Sequence, residues 1–241
     1  MALLETQQIN VRFGGHHAVR DVDLDVAAGT VTGLIGPNGA GKTTTFNVIT
    51  GLQDATAGKV LFEDEDISSL KPHERARKGI ARTFQRLEVF GSLSARDNIL
   101  TAAEIRRSWS GDKTDVNQIV DGIIERVGIG HVADERVDAM PTGLARLVEL
   151  GRALATQPKL LLLDEPASGL DDSESDAFAR LLLELAGEGL GVLIVEHDVQ
   201  LVMKVCAHIH VLDYGAIIAV GPPEEIQSNN AVLEAYLGAS A

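Results

Sequence analysis

Apolar and polar residues alternate along 3–11 and again along 19–26, with Gly14-Gly15 between the two runs, which predicts an antiparallel hairpin. Alternation then gives way to short continuous apolar runs at 30–35, 79–84, 159–163 and 191–195. Such runs are expected of strands in a parallel sheet covered on both faces. A further strand is predicted at 59–62, and 207–212 and 216–220 flank the hairpin signal Asp213-Tyr214-Gly215. Helical spacing of apolar residues marks 95–107, 116–127 and 143–156, with 176–187 also helical, short helices at 72–78 and 199–205, and an amphipathic tail at 224–237. No internal repeat interrupts this order. The pattern predicts one α/β domain over 1–241, opening with an antiparallel β subdomain and interrupted by a helical insertion at 87–142.

Composition narrows the partners. A formal charge of −14 on 241 residues argues against nucleic acid, whose phosphate backbone requires clustered Lys and Arg. The local exception, Arg75, Arg77, Lys78, Arg82 and Arg86, reads as a solvated or subunit-contacting face. The single cysteine, Cys206, cannot form an internal disulfide and sits in an apolar stretch, as a small buried hydrophobe in a reducing compartment does. The first ten residues lack the basic-then-apolar pattern of a signal peptide. No run approaches the roughly eighteen apolar residues of a membrane span, so a membrane role would come through a partner.

Candidate chemistry begins with Gly36-Pro37-Asn38-Gly39-Ala40-Gly41-Lys42-Thr43, placed between a predicted strand and a helix that opens at Thr44. Glycines there let the backbone wrap a polyphosphate, so that successive N–H groups and the helix's positive end face the anion. Lys42 would reach the β- and γ-phosphates, and Thr43 would offer a hydroxyl to Mg²⁺. The chain is therefore expected to bind a nucleoside triphosphate.

Four leucines, 160–163, lead into Asp164-Glu165. An Asp at a buried strand's carboxyl end is placed to hold Mg²⁺, and the neighbouring Glu to orient and deprotonate the water attacking the γ-phosphate. Gln85 and His197 end two other predicted strands, on the edge where open α/β sheets bind ligands. They are candidates for a Mg²⁺ or water ligand and a γ-phosphate sensor. Phe13, at the end of the first strand, is either an adenine-stacking ring or a core residue.

In this order, and across nearly the whole chain, these residues resemble the ATP-binding subunits of ABC transporters. The resemblance implies a P-loop NTPase fold of the ABC ATPase type, with Phe13 stacking adenine, 36–43 as Walker A, Gln85 as the Q-loop and 160–164 as Walker B. It further implies Glu165 as the catalytic carboxylate, Ser168-Gly169-Leu170-Asp171 as the D-loop and His197 as the switch histidine. Two such subunits sandwich ATP head to tail, each completing the other's site with a signature loop, commonly Leu-Ser-Gly-Gly-Gln. Here the matching stretch is Met140-Pro141-Thr142-Gly143-Leu144. Pro141 lacks the usual hydroxyl, Thr142 offers one, and the Gly143 N–H lies at a helix start. The partner subunit need not be a copy of this chain.

Within the family the chain is most similar to branched-chain amino-acid import ATPases, through Phe13-Gly14-Gly15, Thr45-Phe46-Asn47-Val48-Ile49-Thr50-Gly51, Ala81-Arg82-Thr83-Phe84-Gln85, the Pro within the signature and the ending Ala235-Tyr236-Leu237-Gly238. This implies ATP and Mg²⁺ as cofactors, a second ATPase subunit, permease subunits and a substrate-binding protein as partners, and a place on the cytoplasmic face of the membrane. A coupling helix of the permease would dock in a groove beside Gln85. Transporters of urea or other amides use similar sequences. A soluble ABC ATPase acting on nucleic acid would be expected to show tandem domains, coiled coils or basic extensions, and none is seen here.

Overall fold

The computed structural model describes residues 2–238. Strands β1 (Ala2–Phe13) and β2 (His16–Ala27) form the predicted hairpin, and β4 (Ala57–Phe62) and β5 (Glu65–Asp66) extend it into an antiparallel sheet of order β2-β1-β4-β5. Its register slips between Thr6 and Ile9. Buried Thr6 spans that irregularity, its Oγ1 donating to the Val22 carbonyl at 3.1 Å and accepting from the Leu24 N–H at 2.9 Å.

The second sheet runs β10 (Ala216–Gly221), β9 (His208–Asp213), β3 (Val31–Ile35), β8 (Gly191–Val195), β7 (Leu160–Asp164), β6 (Ile80–Arg82). All neighbours are parallel except β10, which returns antiparallel to β9. Successive residues of these strands enter two different cores. Leu161, Leu163, Val192, Ile194, Ile209 and Val211 face the helices, while Leu160, Leu162, Leu193, Val195, Leu34 and Leu212 face the antiparallel sheet and α1 (Lys42–Thr50). Both faces are thus dry, which is why these strands read as continuous apolar runs. Each fully buried leucine contributes about 1.5–3 kcal/mol of transfer free energy.

Helices α3 (Ala95–Ser110), α4 (Val116–Arg126) and α5 (Thr142–Ala155) pack on one another beside β6. Helix α6 (Asp172–Gly187) starts four residues before its apolar pattern does, because Asp171 and Glu174 form a reciprocal capping box. The tail is two helices, α8 (Pro223–Gln227) and α9 (Asn230–Gly238), broken at Ser228-Asn229. Helices α2 (Pro72–Lys78) and α7 (Val199–Val205) lie where their patterns place them.

Two residues of the basic segment depart from its sequence reading, while Arg77 and Arg86 are exposed as that reading expects. Arg75 and Arg82 are not solvated. Arg75 is buried on the last turn of α1, donating to the carbonyls of Val48, Ile49, Leu70 and Ser68 at 2.6–3.0 Å. The Ile49 carbonyl is among those a helix end leaves without an intrahelical partner, and Arg75 supplies one there. Arg82 is buried against Asp164. Strand β6 is also shorter than its apolar run, since the Phe84 N–H bonds the Glu149 carboxylate instead of a neighbouring strand.

Candidate nucleotide site

Four strand ends converge on one edge of the parallel sheet: β3 delivers the loop 36–41, β6 leads to Gln85, β7 ends at Asp164 and β8 leads to His197. Loop and helix fit tightly against β9. Gly36 has φ 151°, and a Cβ there would lie 1.9 Å from the Leu212 carbonyl oxygen. Gly41, the left-handed N-cap of α1 at φ 111°, would place a Cβ 2.8 Å from the Ala18 carbonyl oxygen. Glycine is required at both positions for the backbone to pass.

Lys42 curls over this loop, its Nζ donating to the carbonyls of Gly36 at 2.6 Å and Pro37 at 2.9 Å. Burial lowers its ammonium's affinity for the proton, and the Glu165 and Asp164 carboxylates oppose that. A pocket of about 370 Å³ opens beside it, lined by Phe13, His16, Ala18, Asn38, Gly39, Ala40, Gly41, Lys42, Thr43, Thr44, Gln85, Glu165, Val195 and His197. Half-exposed Phe13 stands at its rim.

Glu165 is the meeting point. Its backbone is left-handed at φ 51°, a conformation that costs an L-residue roughly 1–2 kcal/mol. The strain is held by its N–H bonding to the Val195 carbonyl at 2.8 Å. In this pose Glu165 Oε1 accepts from Gln85 Nε2 at 3.0 Å and lies 2.9 Å from His197 Nε2. Residues 80 and 32 positions apart in sequence thus reach one carboxylate oxygen. Asp164, on the preceding residue, is buried and paired with Arg82. Burial pushes its carboxyl above the usual range, and the hydrogen bond and charge of Arg82 pull it back.

Three supporting residues carried no sequence signal. Glu149 of α5 accepts from the N–H groups of Phe84 and Glu88 at 3.3 and 3.2 Å. Arg146, paired with Glu149 at 2.9 Å, donates to the carbonyls of Phe84 and Gln85. Helix α5 therefore grips the Gln85 loop from both sides. Glu196, beside His197, accepts from the Ala167 N–H at 2.7 Å and so ties the 166–170 loop to the end of β8. Burial raises its carboxyl pKa, opposed by backbone N–H bonds including that of Ala167. A charged residue within a helix, like Arg146 and Glu149, or beside a strand end, like Glu196, is too common a pattern to have singled these out.

Pro141, Thr142 and Gly143 lie outside this pocket. Pro141 and Thr142 are exposed at the start of α5, and Gly143 packs beside Gly169 and Leu170 of the same chain.

A parallel sheet with a glycine-rich loop wrapped at its carboxyl edge, a strand-end Asp-Glu and a histidine on that Glu define a P-loop nucleoside-triphosphatase of the cassette type. The chain belongs to the ABC transporter family, whose model matches residues 19–168, and a second model, the branched-chain amino acid ATP-binding cassette transporter, matches 216–241. It is an ATPase, the ATP-binding subunit of a transporter. Over 238 residues it is 38% identical to the lipopolysaccharide export system ATP-binding protein LptB of Escherichia coli (strain K12), covering 99% of this chain and 98% of that protein. It is 37% identical over 253 residues to the high-affinity branched-chain amino acid transport ATP-binding protein BraF of Pseudomonas aeruginosa, covering 98% of each. Among solved structures it resembles a nucleotide-free ATP-binding cassette from an ABC transporter, with TM-score 0.88, 33% identity and coverage of 98% and 99%.

Proposed function

We propose that this chain energises an importer of branched-chain or other amino acids, hydrolysing Mg²⁺-ATP as one half of an ATPase dimer on the cytoplasmic face of the membrane. The observation that carries the chemistry is the convergence of Gln85 and His197 on Glu165 Oε1 beside the phosphate loop. In this reading Phe13 stacks on adenine, and Asn38, Gly39, Ala40, Gly41, Lys42 and Thr44 cradle the phosphates. Glu165 orients and deprotonates the attacking water, and His197 senses the γ-phosphate. Thr43, Gln85 and Asp164 offer the hard oxygen donors that suit Mg²⁺, which would neutralise charge on the β- and γ-phosphate oxygens.

Pro141, Thr142 and Gly143 lie away from this chain's own phosphate loop, which favours a second ATPase subunit, identical or different, whose equivalent stretch completes the site. Among the described residues no helix is long and apolar enough to cross a membrane. Permease subunits would instead dock in the groove of about 350 Å³ lined by residues including Leu52, Ala81, Phe84, Ala102 and Arg152, next to the Gln85 loop. A nucleotide-dependent shift of that loop would couple docking to γ-phosphate occupancy.

The C-terminal match and the similarity to BraF support amino-acid import with a substrate-binding protein. Equal similarity to LptB favours a second reading, export of a lipopolysaccharide. Urea or amide transport remains a third substrate class under the same chemistry. The deciding experiment is co-purification of the chain with its membrane partners, followed by ATPase assay in liposomes. Stimulation by Leu, Ile or Val with a binding protein supports the import reading, and recovery with lipopolysaccharide-export subunits overturns it.

A further inference from the structure

On β9, Ile209 and Val211 enter the helix-facing core, so the alternate residues His208 and His210 stand on the other side of the strand. His210 is 2% exposed, and neither of its ring nitrogens has a hydrogen-bond partner. Its Nε2 lies 3.6 Å from Oδ1 of Asp25 on β2, beyond hydrogen-bonding distance. The half-buried His208 ring meets His210 edge-on, with centroids 5.2 Å apart at 74°. One donor atom from each of Asp25, His208 and His210 lies within 4.8 Å of the other two. A buried imidazole whose nitrogens are both unbonded is rare.

We propose that Asp25, His208 and His210 form a binding site for a borderline transition-metal dication, Zn²⁺ or its surrogate Co²⁺, which joins the edge of the antiparallel sheet to β9. Two imidazoles and a carboxylate, with water as the fourth ligand, are the donor set such an ion takes. Mg²⁺ and Ca²⁺ prefer oxygen ligands throughout. Burial holds His210 below the usual imidazole range, opposed chiefly by the charge of the Asp25 carboxylate. Closing to bonds of about 2.0–2.2 Å requires the three donors to draw together, Asp25 being the exposed member of the set.

The site is separate from the nucleotide pocket. His208 pairs with Thr32 and His210 with Leu34 along the body of the sheet, whereas the phosphate loop leaves its carboxyl edge after Ile35. Its role would be structural. Leu212 of β9 is the wall against which Gly36 closes, so fixing β9 to β2 steadies the strand behind the phosphate loop.

The test is titration of Co²⁺ into the chelator-treated full chain, read by visible absorption, with Zn²⁺ as competitor, with and without excess Mg²⁺. The expected result is one equivalent bound with tetrahedral-type d–d bands, displaced by Zn²⁺ and indifferent to excess Mg²⁺. Asp25→Asn and His208→Ala, both outside the buried core, should each weaken binding by about tenfold or more. Zn²⁺ should raise the wild-type Tm and leave that of the Asp25→Asn/His208→Ala variant unmoved. Unaltered thermal unfolding of this variant in chelator keeps a folding defect from mimicking the result. No saturable binding, binding unchanged in His208→Ala, or binding abolished by excess Mg²⁺ would each overturn the proposal.

Discussion

Arg82 Nη2 lies 2.9 Å from Asp164 Oδ2, with the two side chains only 5% and 2% exposed. The same guanidinium donates to Asn47 Oδ1 at 2.6 Å and stacks between Phe46 and Phe84, 5.3 and 4.8 Å from their ring centroids. One arginine thus ties the strand before Gln85, the helix after the phosphate loop and the strand end bearing the proposed Mg²⁺ ligand.

Removing Arg82 would leave the Asp164 carboxylate buried without its counter-charge. Arg82→Ala is expected to cost about 3–5 kcal/mol of stability, read as a lower denaturant midpoint at unchanged slope. An unmoved midpoint would show that the pair contributes nothing to the folded state.

Glu165→Gln keeps the shape of the site and removes the carboxylate proposed as the base. ATP affinity by calorimetry should stay near wild type, while kcat falls by roughly 10²–10⁴-fold, the range of general-base contributions. Gel filtration with ATP should show an accumulated dimer. Near-wild-type turnover would move the base to another residue.

Arg75 satisfies four main-chain carbonyls around the end of α1. Hydrogen bonds from a charged donor contribute about 1.5–3 kcal/mol each, and deleting the donor strands its acceptors. Arg75→Ala should therefore lower stability by roughly 2–3 kcal/mol or more, seen in the chemical unfolding curve, although the residue lies outside the nucleotide pocket. A loss below about 0.5 kcal/mol, typical of a surface change, would restore the solvated reading of this segment.

Cys206 is buried beside Gly33, and burial pushes its thiol up to about 12. Because the thiolate is the reactive form, alkylation by iodoacetamide at pH 8 should be far slower in the native chain than in denaturant. Equal rates would mean that this region opens readily.

Much of the site was legible because its residues are consecutive or end strands. The loop 36–43, the Asp164-Glu165 pair and the apolar runs before Gln85, Glu165 and His197 are local patterns, and a buried parallel strand announces itself by being apolar on both faces. Helix α6 began earlier than its apolar spacing because a polar capping box, not burial, sets its start. The basic segment misled for a related reason. Charge along a chain does not disclose whether a guanidinium finds carbonyls or a carboxylate to make its burial tolerable; Arg75 found the first and Arg82 the second.

By itself the sequence determined that the chain builds an α/β cassette around a phosphate loop, and which residue types that loop would present. Only the tertiary structure decided that Gln85 and His197 share one oxygen of Glu165, that Arg146 and Glu149 hold the Gln85 loop, and that His208 and His210 face Asp25. The difference is physical: periodicity records which face of an element is buried, whereas these contacts depend on how strands distant in sequence are ordered and registered within the sheets.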